Sequence, residues 1–112
     1  MENARMKLLG RIEEIILLAI WKLGEKAYGM AIREEIIKAT GENWLLGSIY
    51  DPLGRLHKKK YVLTIKGEPT AERGGRAKVY YEVTPEGKEA LFKVQKVNAF
   101  LRPHAAGIKS KE

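Results

Sequence analysis

The stretch GSIYDPLGRLHKKK, residues 47–60, leads into a hairpin whose tip reads EPTAERGGR, residues 68–76. The first part predicts a short cationic helix, and the second predicts a projecting loop that is rich in charge and glycine. An α-helix fits the major groove of B-DNA, and a basic loop beside it can lie along phosphates. The stretch therefore indicates a DNA-reading arrangement.

One face of the predicted helix is apolar. Ile49, Leu53 and Leu56 recur at three- and four-residue spacing and form a buried stripe. We expect the helix to begin near Gly47 or Ser48, where the Ser48 hydroxyl can cap a free backbone N–H. The side chains left facing outward are Ser48, Tyr50, Asp51, Arg55, Lys58 and Lys59.

Two amphipathic helices precede this stretch. The first is expected to end at Gly24, and its apolar stripe consists of Ile12, Ile15, Ile16, Ala19, Ile20 and Leu23. The second is expected from about Tyr28 to Thr40. It should bury Ile32, Ile36 and Ala39.

Two short strands flank the glycine-rich loop. Residues 61–65 and 79–83 each alternate in the period of two that is typical of half-buried strands. We expect one face to be lined by Tyr61, Leu63, Ile65, Val79, Tyr81 and Val83.

A last helix follows the second strand. Thr84 is a cap residue and Pro85 suits the first helical position, so the helix should run from there to about Leu101. Its apolar seam has a/d spacing and is longer than three helices and a hairpin can cover, which favours a homodimer. The predicted dimerisation residues are Ala90, Leu91, Val94, Val97 and Leu101.

The 112 residues suffice for one domain. The order helix, helix, helix, hairpin, helix predicts a mainly helical α+β fold, the winged helix-turn-helix, over residues 1–83. Residues 84–102 are expected to form the C-terminal dimerisation helix packed on it. Residues 103–112 are expected to be a flexible basic tail.

The charge distribution agrees with a nucleic-acid partner. The net charge is +7, residues 9–40 carry five charges of each sign, and residues 41–83 carry eight basic against five acidic residues. The basic excess therefore begins where the candidate DNA-reading part begins. A sequence pI near 9.7 also occurs in proteins that never bind nucleic acid, so charge alone does not decide the partner.

Other function classes find little support. The chain has no cysteine and two histidines, so we expect no disulfide, no metal site and no cofactor. It shows no phosphate-binding glycine loop, nucleophile elbow or carboxylate pair, so we expect no catalytic residues and no enzyme. The longest apolar run has seven residues against the ~20 that a membrane span needs, and no signal peptide is visible, which favours a cytoplasmic protein.

Four segments in this order resemble one family, the PadR family of transcriptional regulators. The similarity spans roughly residues 8–101, and the segments are LGEKAYGMAI at 23–32, GSIY at 47–50 with Leu53, Arg55 and Leu56, GGR at 74–76 with Tyr80 and Tyr81, and VTPEG at 83–87. The resemblance implies a winged helix that binds double-stranded DNA and dimerises through its last helix. Such proteins usually act as repressors that a small molecule releases.

The resemblance also implies roles for individual residues. Ser48 and Tyr50 would meet DNA from the start of the recognition helix, Tyr28 would brace or touch the backbone, and the wing would be anchored by its basic residues. In many relatives Pro follows the Tyr directly, whereas here Asp51 intervenes, and a carboxylate there can accept from cytosine or repel phosphate. The full predicted DNA-binding set is Tyr28, Ser48, Tyr50, Asp51, Arg55, Arg73, Gly74, Gly75, Arg76 and Lys78.

Several alternatives stay open at the level of sequence. Ser48 can be a helix cap as well as a phosphate contact, and Arg55 can be a DNA contact or an ion-paired surface residue. The whole domain can instead be a protein–protein interaction module, or a ligand sensor without specific DNA binding. Drug-sensing relatives can stack flat ligands on a Trp of the last helix, and this last helix has no Trp.

Overall fold

The computed structural model describes residues 8–69 and 77–103, and in these residues it contains four α-helices and two strands. The helices are α1 (Arg11–Leu23), α2 (Gly29–Thr40), α3 (Leu46–Lys58) and α4 (Pro85–Leu101), and the strands are β1 (Val62–Pro69) and β2 (Ala77–Val83). A 3₁₀ turn, Gly24–Lys26, joins α1 to α2. The two strands pair as an antiparallel hairpin, called the wing below. The predicted winged-helix fold class is confirmed.

The hydrophobic core lies among α1, α2 and α3, and residues of α4 and the base of the wing complete it. Each large apolar side chain in it stabilises the fold by about 1.5–3 kcal/mol through burial. The fully buried residues are Ile16, Leu17, Ile20, Ile32, Ile36, Ile49, Leu53, Leu56, Val62 and Leu91. All three predicted stripe residues of α3 are therefore in the core.

Two predicted core positions are wrong. Ile12 is 36% exposed, whereas Leu17, outside the predicted stripe, is fully buried. Both α2 and α3 pack on α1, so its buried arc is wider than one stripe and is rotated toward Leu17. Ala39 is exposed because it lies in the last turn of α2, just before Gly41 ends the helix with a left-handed φ of 73°.

The start of α3 differs from the prediction. The helix begins at Leu46, with Leu45 in the cap position and no side-chain cap, so the prediction that the Ser48 hydroxyl caps it is wrong. Ser48 is the third helical residue, and its N–H donates to the Leu45 carbonyl at 3.0 Å. The link from α2 is fixed instead by Arg33, whose Nε donates to the Trp44 carbonyl at 2.6 Å.

The register of the wing corrects the predicted strand faces. Val62 pairs with Val83 and both are buried, whereas Leu63 pairs with Glu82 and is 40% exposed. The face that meets the core therefore carries Val62, not Leu63 and Ile65. Apolar residues occupy both odd and even positions of β1, so the alternation within this strand does not decide which face turns toward the core.

The second strand of the wing also contacts the segment between α1 and α2. The Tyr81 N–H donates to the Ala27 carbonyl at 2.8 Å, and Tyr28 forms an isolated antiparallel bridge with Tyr80. The wing is thus tied by backbone hydrogen bonds to the segment just before α2.

A set of hydrogen bonds joins the residues that follow α3 to the start of α4, and we call it the α4 joint. The Thr84 hydroxyl donates to the Lys60 carbonyl at 2.8 Å and accepts from the Gly87 N–H at 3.0 Å. The Thr84 N–H donates to the Tyr61 carbonyl at 3.0 Å. The predicted role of Thr84 as the cap of the last helix is confirmed.

The end of α3 at this joint is a Schellman turn. The Tyr61 N–H donates to the Leu56 carbonyl at 2.9 Å and the Lys60 N–H donates to the His57 carbonyl at 3.0 Å. Lys60 has a φ of 68°, a left-handed conformation in which glycine is the usual residue. The chain therefore turns sharply from α3 into β1 at a strained position.

Candidate nucleic-acid interface

The exposed face of α3 carries a line of polar and charged side chains. Ser48, Asp51, Arg55 and Lys58 follow one another at spacings of three and four residues, and all four are exposed. Opposite them, the apolar stripe of α3 is in the core. In the described part of the chain no basic side chain forms an ion pair with Asp51. Such a face can approach base edges and phosphates together.

The Tyr50 ring lies across the first residue of α2. A Cβ built on Gly29 would overlap the Tyr50 hydroxyl and lie 2.8 Å from Tyr50 Cζ, so the absence of a side chain at Gly29 makes room for the ring. Tyr50 remains 45% exposed. Burial, and then the neighbouring Tyr50, raise the pKa of the Tyr81 hydroxyl above its ordinary value. One side of Tyr50 is therefore packed and the other is free to contact a ligand.

Two further predicted residues lie beside this contact. The rings of Tyr28 and Tyr80 meet edge to face with centroids 5.7 Å apart, and Lys78 Nζ lies 4.1 Å from the centroid of the Tyr28 ring. An ammonium group at that distance is attracted by the face of the ring. The structure therefore brings Tyr28, Tyr50 and Lys78 to the junction of α2, α3 and the wing.

The rear half of α3 is tied to α1 by charge. Glu13 is 7% exposed, and its Oε2 lies 3.1 Å from Lys59 Nζ and 3.7 Å from Arg55 Nε. Its Oε1 accepts the Gly10 N–H at 3.0 Å, at the start of α1. Arg55 was predicted to be either a DNA contact or an ion-paired surface residue, and the structure contains the ion pair. We call the contacts of Tyr50 with Gly29 and of Glu13 with Arg55 and Lys59 the seat of α3.

The ionisation of Glu13 reflects this environment. Burial raises the pKa of its carboxyl, but the hydrogen bond from the Gly10 N–H and the charges of Lys59 and Arg55 outweigh burial. The net pKa is below the ordinary value of 4.5. Glu13 is therefore an anion at neutral pH, with each of its oxygens committed to a partner.

The predicted wing tip cannot be placed in this geometry. Arg73, Gly74, Gly75 and Arg76 lie outside the described residues. Their predicted contacts with phosphate remain predictions.

The predicted dimerisation residues divide into two groups. Leu91 and Val94 are buried in the core of the single chain, and Ala90 is half-buried. Val97 and Leu101 are 36% and 69% exposed. The far half of α4 thus presents an apolar side to solvent in the single chain.

A cavity of about 440 Å³ opens between the end of α1, the wing and the start of α4. Trp21 and Lys88 line it, and Lys88 Nζ lies 5.0 Å from the centroid of the Trp21 ring. The Trp21 ring also meets Phe92 of α4 edge to face at 6.0 Å. The aromatic residues that line this cavity are thus Trp21 of α1 and Tyr80 and Tyr81 of β2, and none of them belongs to the last helix.

Neither a metal cluster nor a membrane-spanning helix occurs in the two described ranges. No group of three or more His, Cys, Asp or Glu side chains is close enough there to hold a metal ion. None of the four helices is long and apolar enough to cross a bilayer.

Sequence reasoning missed Glu13, Gly29 and Lys59 as parts of this site. Glu13 lies between the stripe residues Ile12 and Ile15 of α1, and a charged residue between stripe residues is expected to face solvent. The available signal was the pair of acidic residues in the first turn of α1, opposite the cationic end of α3. Gly29 was visible only as half of a Tyr-Gly pair, and nothing in that pair indicates that a ring from α3 covers it.

Comparisons with known proteins agree on one family. A family model described as the transcriptional regulator PadR-like family matches residues 16–93. The fold is similar to a PadR family transcription regulator from Clostridium difficile, with 24% identity, a TM-score of 0.67 and coverage of 83% of this chain and 92% of that chain. It is also similar to a PadR-like transcriptional regulator from Bacillus cereus, with 26% identity, a TM-score of 0.61 and coverage of 83% and 93%. No curated protein matches.

Proposed function

Because the chain belongs to the PadR-like family of transcriptional regulators, we propose that it is a sequence-specific repressor that binds double-stranded DNA as a homodimer and responds to a small molecule. The family consists of regulators, not enzymes, which agrees with the prediction that the chain is not an enzyme. The repressor role, the dimer and the response to a ligand are the parts of this proposal that go beyond family membership.

The observation that carries the proposal is the placement of α3. Its apolar stripe is in the core while Ser48, Asp51 and Lys58 stand on the opposite, exposed face. A helix held in this way can enter a major groove with its N-terminal residues at base edges. Lys58, near the end of the helix, is then suited to phosphate.

We propose distinct roles for the residues around α3. Ser48, Tyr50 and Asp51 contact bases or the adjoining backbone, since they lie in the first half of the helix. Tyr28 and Lys78 contact the phosphate backbone from the junction of α2 and the wing. Arg73 and Arg76, with Gly74 and Gly75 between them, would follow phosphates from the tip of the wing.

The exposed half of α4 supports the proposed homodimer. Phe100 and Leu101 are 87% and 69% exposed, and Val97 lies on the same helix at helical spacing from them. A second copy of α4 would cover these apolar side chains and complete a seam that the single chain leaves open. Two copies of α3 would then read half-sites about 34 Å apart.

The cavity beside Trp21 supports the proposed response to a small molecule. Its volume of about 440 Å³ is within the range of small-molecule sites, and its wall combines aromatic side chains with the charges of Glu25, Glu82 and Lys88. It touches both the wing and the start of α4. An aromatic compound bound there would contact the wing, which carries proposed DNA contacts, and α4, which carries the proposed contacts with the second copy of the chain.

The first test is binding of the purified protein to the duplex upstream of its own gene and to a scrambled duplex of equal length, at several salt concentrations. We expect a preference of about a thousandfold or more for the natural duplex. Equal and steeply salt-dependent binding to both duplexes would contradict specific recognition of this site. Absence of binding even at low salt would favour a protein-interaction module.

Single substitutions assign the contacts in the same assay. Arg76→Ala should weaken binding to both duplexes and reduce the salt slope by about one ion, because a phosphate contact carries no sequence information. Asp51→Asn should instead change which base pair is preferred. An unchanged affinity and slope for Arg76→Ala would mean that the tip of the wing does not contact phosphate.

A further inference from the structure

The Glu13 carboxylate, which belongs to α1, contacts the C-terminal end of the candidate DNA-reading helix α3. Its Oε1 is held by the Gly10 N–H, and its Oε2 is within 4 Å of both Lys59 Nζ and Arg55 Nε. The Glu13 side chain is only 10% exposed, whereas those of Lys59 and Arg55 are 48% and 57% exposed. The carboxylate is thus fixed inside the protein while its two cationic partners remain at the surface.

We propose that Glu13 is an internal competitor for DNA phosphate, which balances the charges of Arg55 and Lys59 and so lowers the nonspecific part of the DNA affinity. This inference rests on the proposed function, because it concerns how tightly the same helix holds DNA of any sequence. Glu13 itself contacts no DNA and acts through Arg55 and Lys59, so it is a positioning residue that sets how strongly these two cations attract phosphate.

Counterion release gives the physical reason. Each phosphate that a free cation neutralises makes the negative slope of log K against log salt steeper by about 0.9, and this contribution is the same for every sequence. A cation already paired with a buried carboxylate gains less from a phosphate, because it must share or give up that partner. The base-reading side chains Ser48 and Asp51, at the other end of α3, are unaffected by this exchange.

The position of the ion pairs restricts this role to Glu13. In the described residues, the only ion pairs that involve α3 or its C-cap residue Lys59 are those of Arg55 and Lys59 with Glu13. Lys58, one residue before Lys59, has no such partner there. Arg55 and the C-cap residue Lys59 are thus the two cations at this end of α3 whose charge Glu13 balances.

Glu35 offers a matched control. Its carboxylate also lies near two cations, Lys22 and Lys38, and it is similarly shielded, but it is in α2 and neither cation belongs to α3. Glu35→Gln changes the net charge by the same amount as Glu13→Gln. The control therefore separates a general effect of net charge from an effect on Arg55 and Lys59.

The experiment measures binding of the wild type, Glu13→Gln and Glu35→Gln to the upstream and scrambled duplexes between about 50 and 200 mM salt. Glutamine keeps an oxygen that can accept the Gly10 N–H, so the start of α1 retains its hydrogen bond. We expect Glu13→Gln to steepen the salt slope by about one to two ions and to tighten binding to the scrambled duplex about three- to tenfold at low salt. Binding to the upstream duplex should tighten by the same factor, because a phosphate contact carries no sequence information. The ratio of specific to nonspecific affinity should therefore stay unchanged, and Glu35→Gln should leave the slope unchanged.

A reversal experiment tests the mechanism. Adding Arg55→Gln and Lys59→Gln to Glu13→Gln should return the slope to that of the wild type. A slope for Glu13→Gln equal to that for Glu35→Gln would overturn the inference. Weaker binding of Glu13→Gln to both duplexes would also overturn it, because Glu13 would then act only by holding α3 in place.

Two single substitutions test the inference without changing Glu13, should Glu13→Gln fail to fold. Arg55→Gln and Lys59→Gln in the wild type should each leave the salt slope within about half an ion. A decrease of about one ion for either would show that the side chain reaches phosphate despite Glu13, and would overturn the inference. If the wild type binds no duplex at any salt concentration, the proposed function fails and this inference fails with it.

Discussion

At the α4 joint a glycine, Gly87, lies against backbone, whereas at the seat of α3 a glycine, Gly29, lies against a side chain. A Cβ on Gly87 would lie 3.1 Å from the carbonyl carbon of Tyr61 and would overlap its oxygen. A Cβ on Gly29 would instead meet the tip of the Tyr50 ring, which can rotate away. The same substitution is thus opposed by a fixed group in one region and by a movable group in the other.

This difference indicates that the two regions differ in how rigidly they hold their helices. The α4 joint fixes where the proposed dimerisation helix leaves the domain, and few substitutions there can be accommodated. The seat of α3 holds the proposed DNA-reading helix by an aromatic ring and three charged side chains, so its position can be adjusted at small cost. Four substitutions test this difference between the two regions.

Gly87→Ala should have the largest effect. The added Cβ must displace the Tyr61 carbonyl, so we expect the free energy of unfolding to fall by about 2–3 kcal/mol. Urea and thermal unfolding measure it. Gly54→Ala is the control: nothing lies within 4 Å of its Cβ position, and alanine should raise the stability of α3 by about 0.5–1 kcal/mol. A loss below about 0.5 kcal/mol at Gly87 would contradict a rigid joint.

Thr84→Val should have the second largest effect. It removes the acceptor for the Gly87 N–H and the donor to the Lys60 carbonyl while keeping the shape of the side chain. We expect a loss of about 1–2 kcal/mol in unfolding free energy. Thr64→Val, at an exposed position of β1, should change stability little, since valine suits a strand. Equal effects at Thr84 and Thr64 would mean that the cap contributes nothing.

Gly29→Ala should cost less, about 1 kcal/mol, because the Tyr50 ring can leave its preferred position. The substitution should cost nothing in a Tyr50→Ala background, where the ring is absent. A double-mutant cycle measured by thermal unfolding should therefore give a coupling of about 1 kcal/mol between the two positions. Additive effects would show that Gly29 is not the residue that makes room for Tyr50.

Glu13→Gln should have the smallest effect on stability, a few tenths to about 1 kcal/mol, because its cationic partners are partly exposed. The folded state lowers the pKa of Glu13, so its contribution is present above pH ~4.5 and is lost as the pH falls through the folded pKa. The unfolding midpoints of wild type and variant should differ at pH 7 and converge in acid. Glu34→Gln, at an exposed position of α2, serves as the control. A difference that persists unchanged in acid would contradict the role of the Glu13 charge.

Helical periodicity was sufficient to predict the architecture. The stripe of Ile49, Leu53 and Leu56 identified the buried side of α3, and Thr84 followed by Pro85 identified the start of α4. These signals are local, because a helix satisfies its own backbone and its spacing alone decides which side is apolar.

Features that depend on a partner element could not be predicted in this way. The strand β1 has Val62 on one face and Leu63 and Ile65 on the other, and only pairing with β2 selects the face that meets the core. Spacing gives the direction of the Cβ of Tyr50 but not the path of its ring, which reaches back to Gly29. The burial of Glu13 likewise depends on cations 42 and 46 residues further along the chain.

The Schellman turn at Lys60 joins the C-terminal end of α3 directly to the α4 joint. A tilt of α3 would therefore rotate the helix about that end as the pivot. The 13 residues of the helix extend about 20 Å. A rotation of roughly 5° about the pivot therefore displaces the first turn by about 1.7 Å, more than half the length of a hydrogen bond. A change in the angle of α4 too small to disturb the core would be enough to move Ser48 and Asp51 out of their proposed contacts with the edges of base pairs.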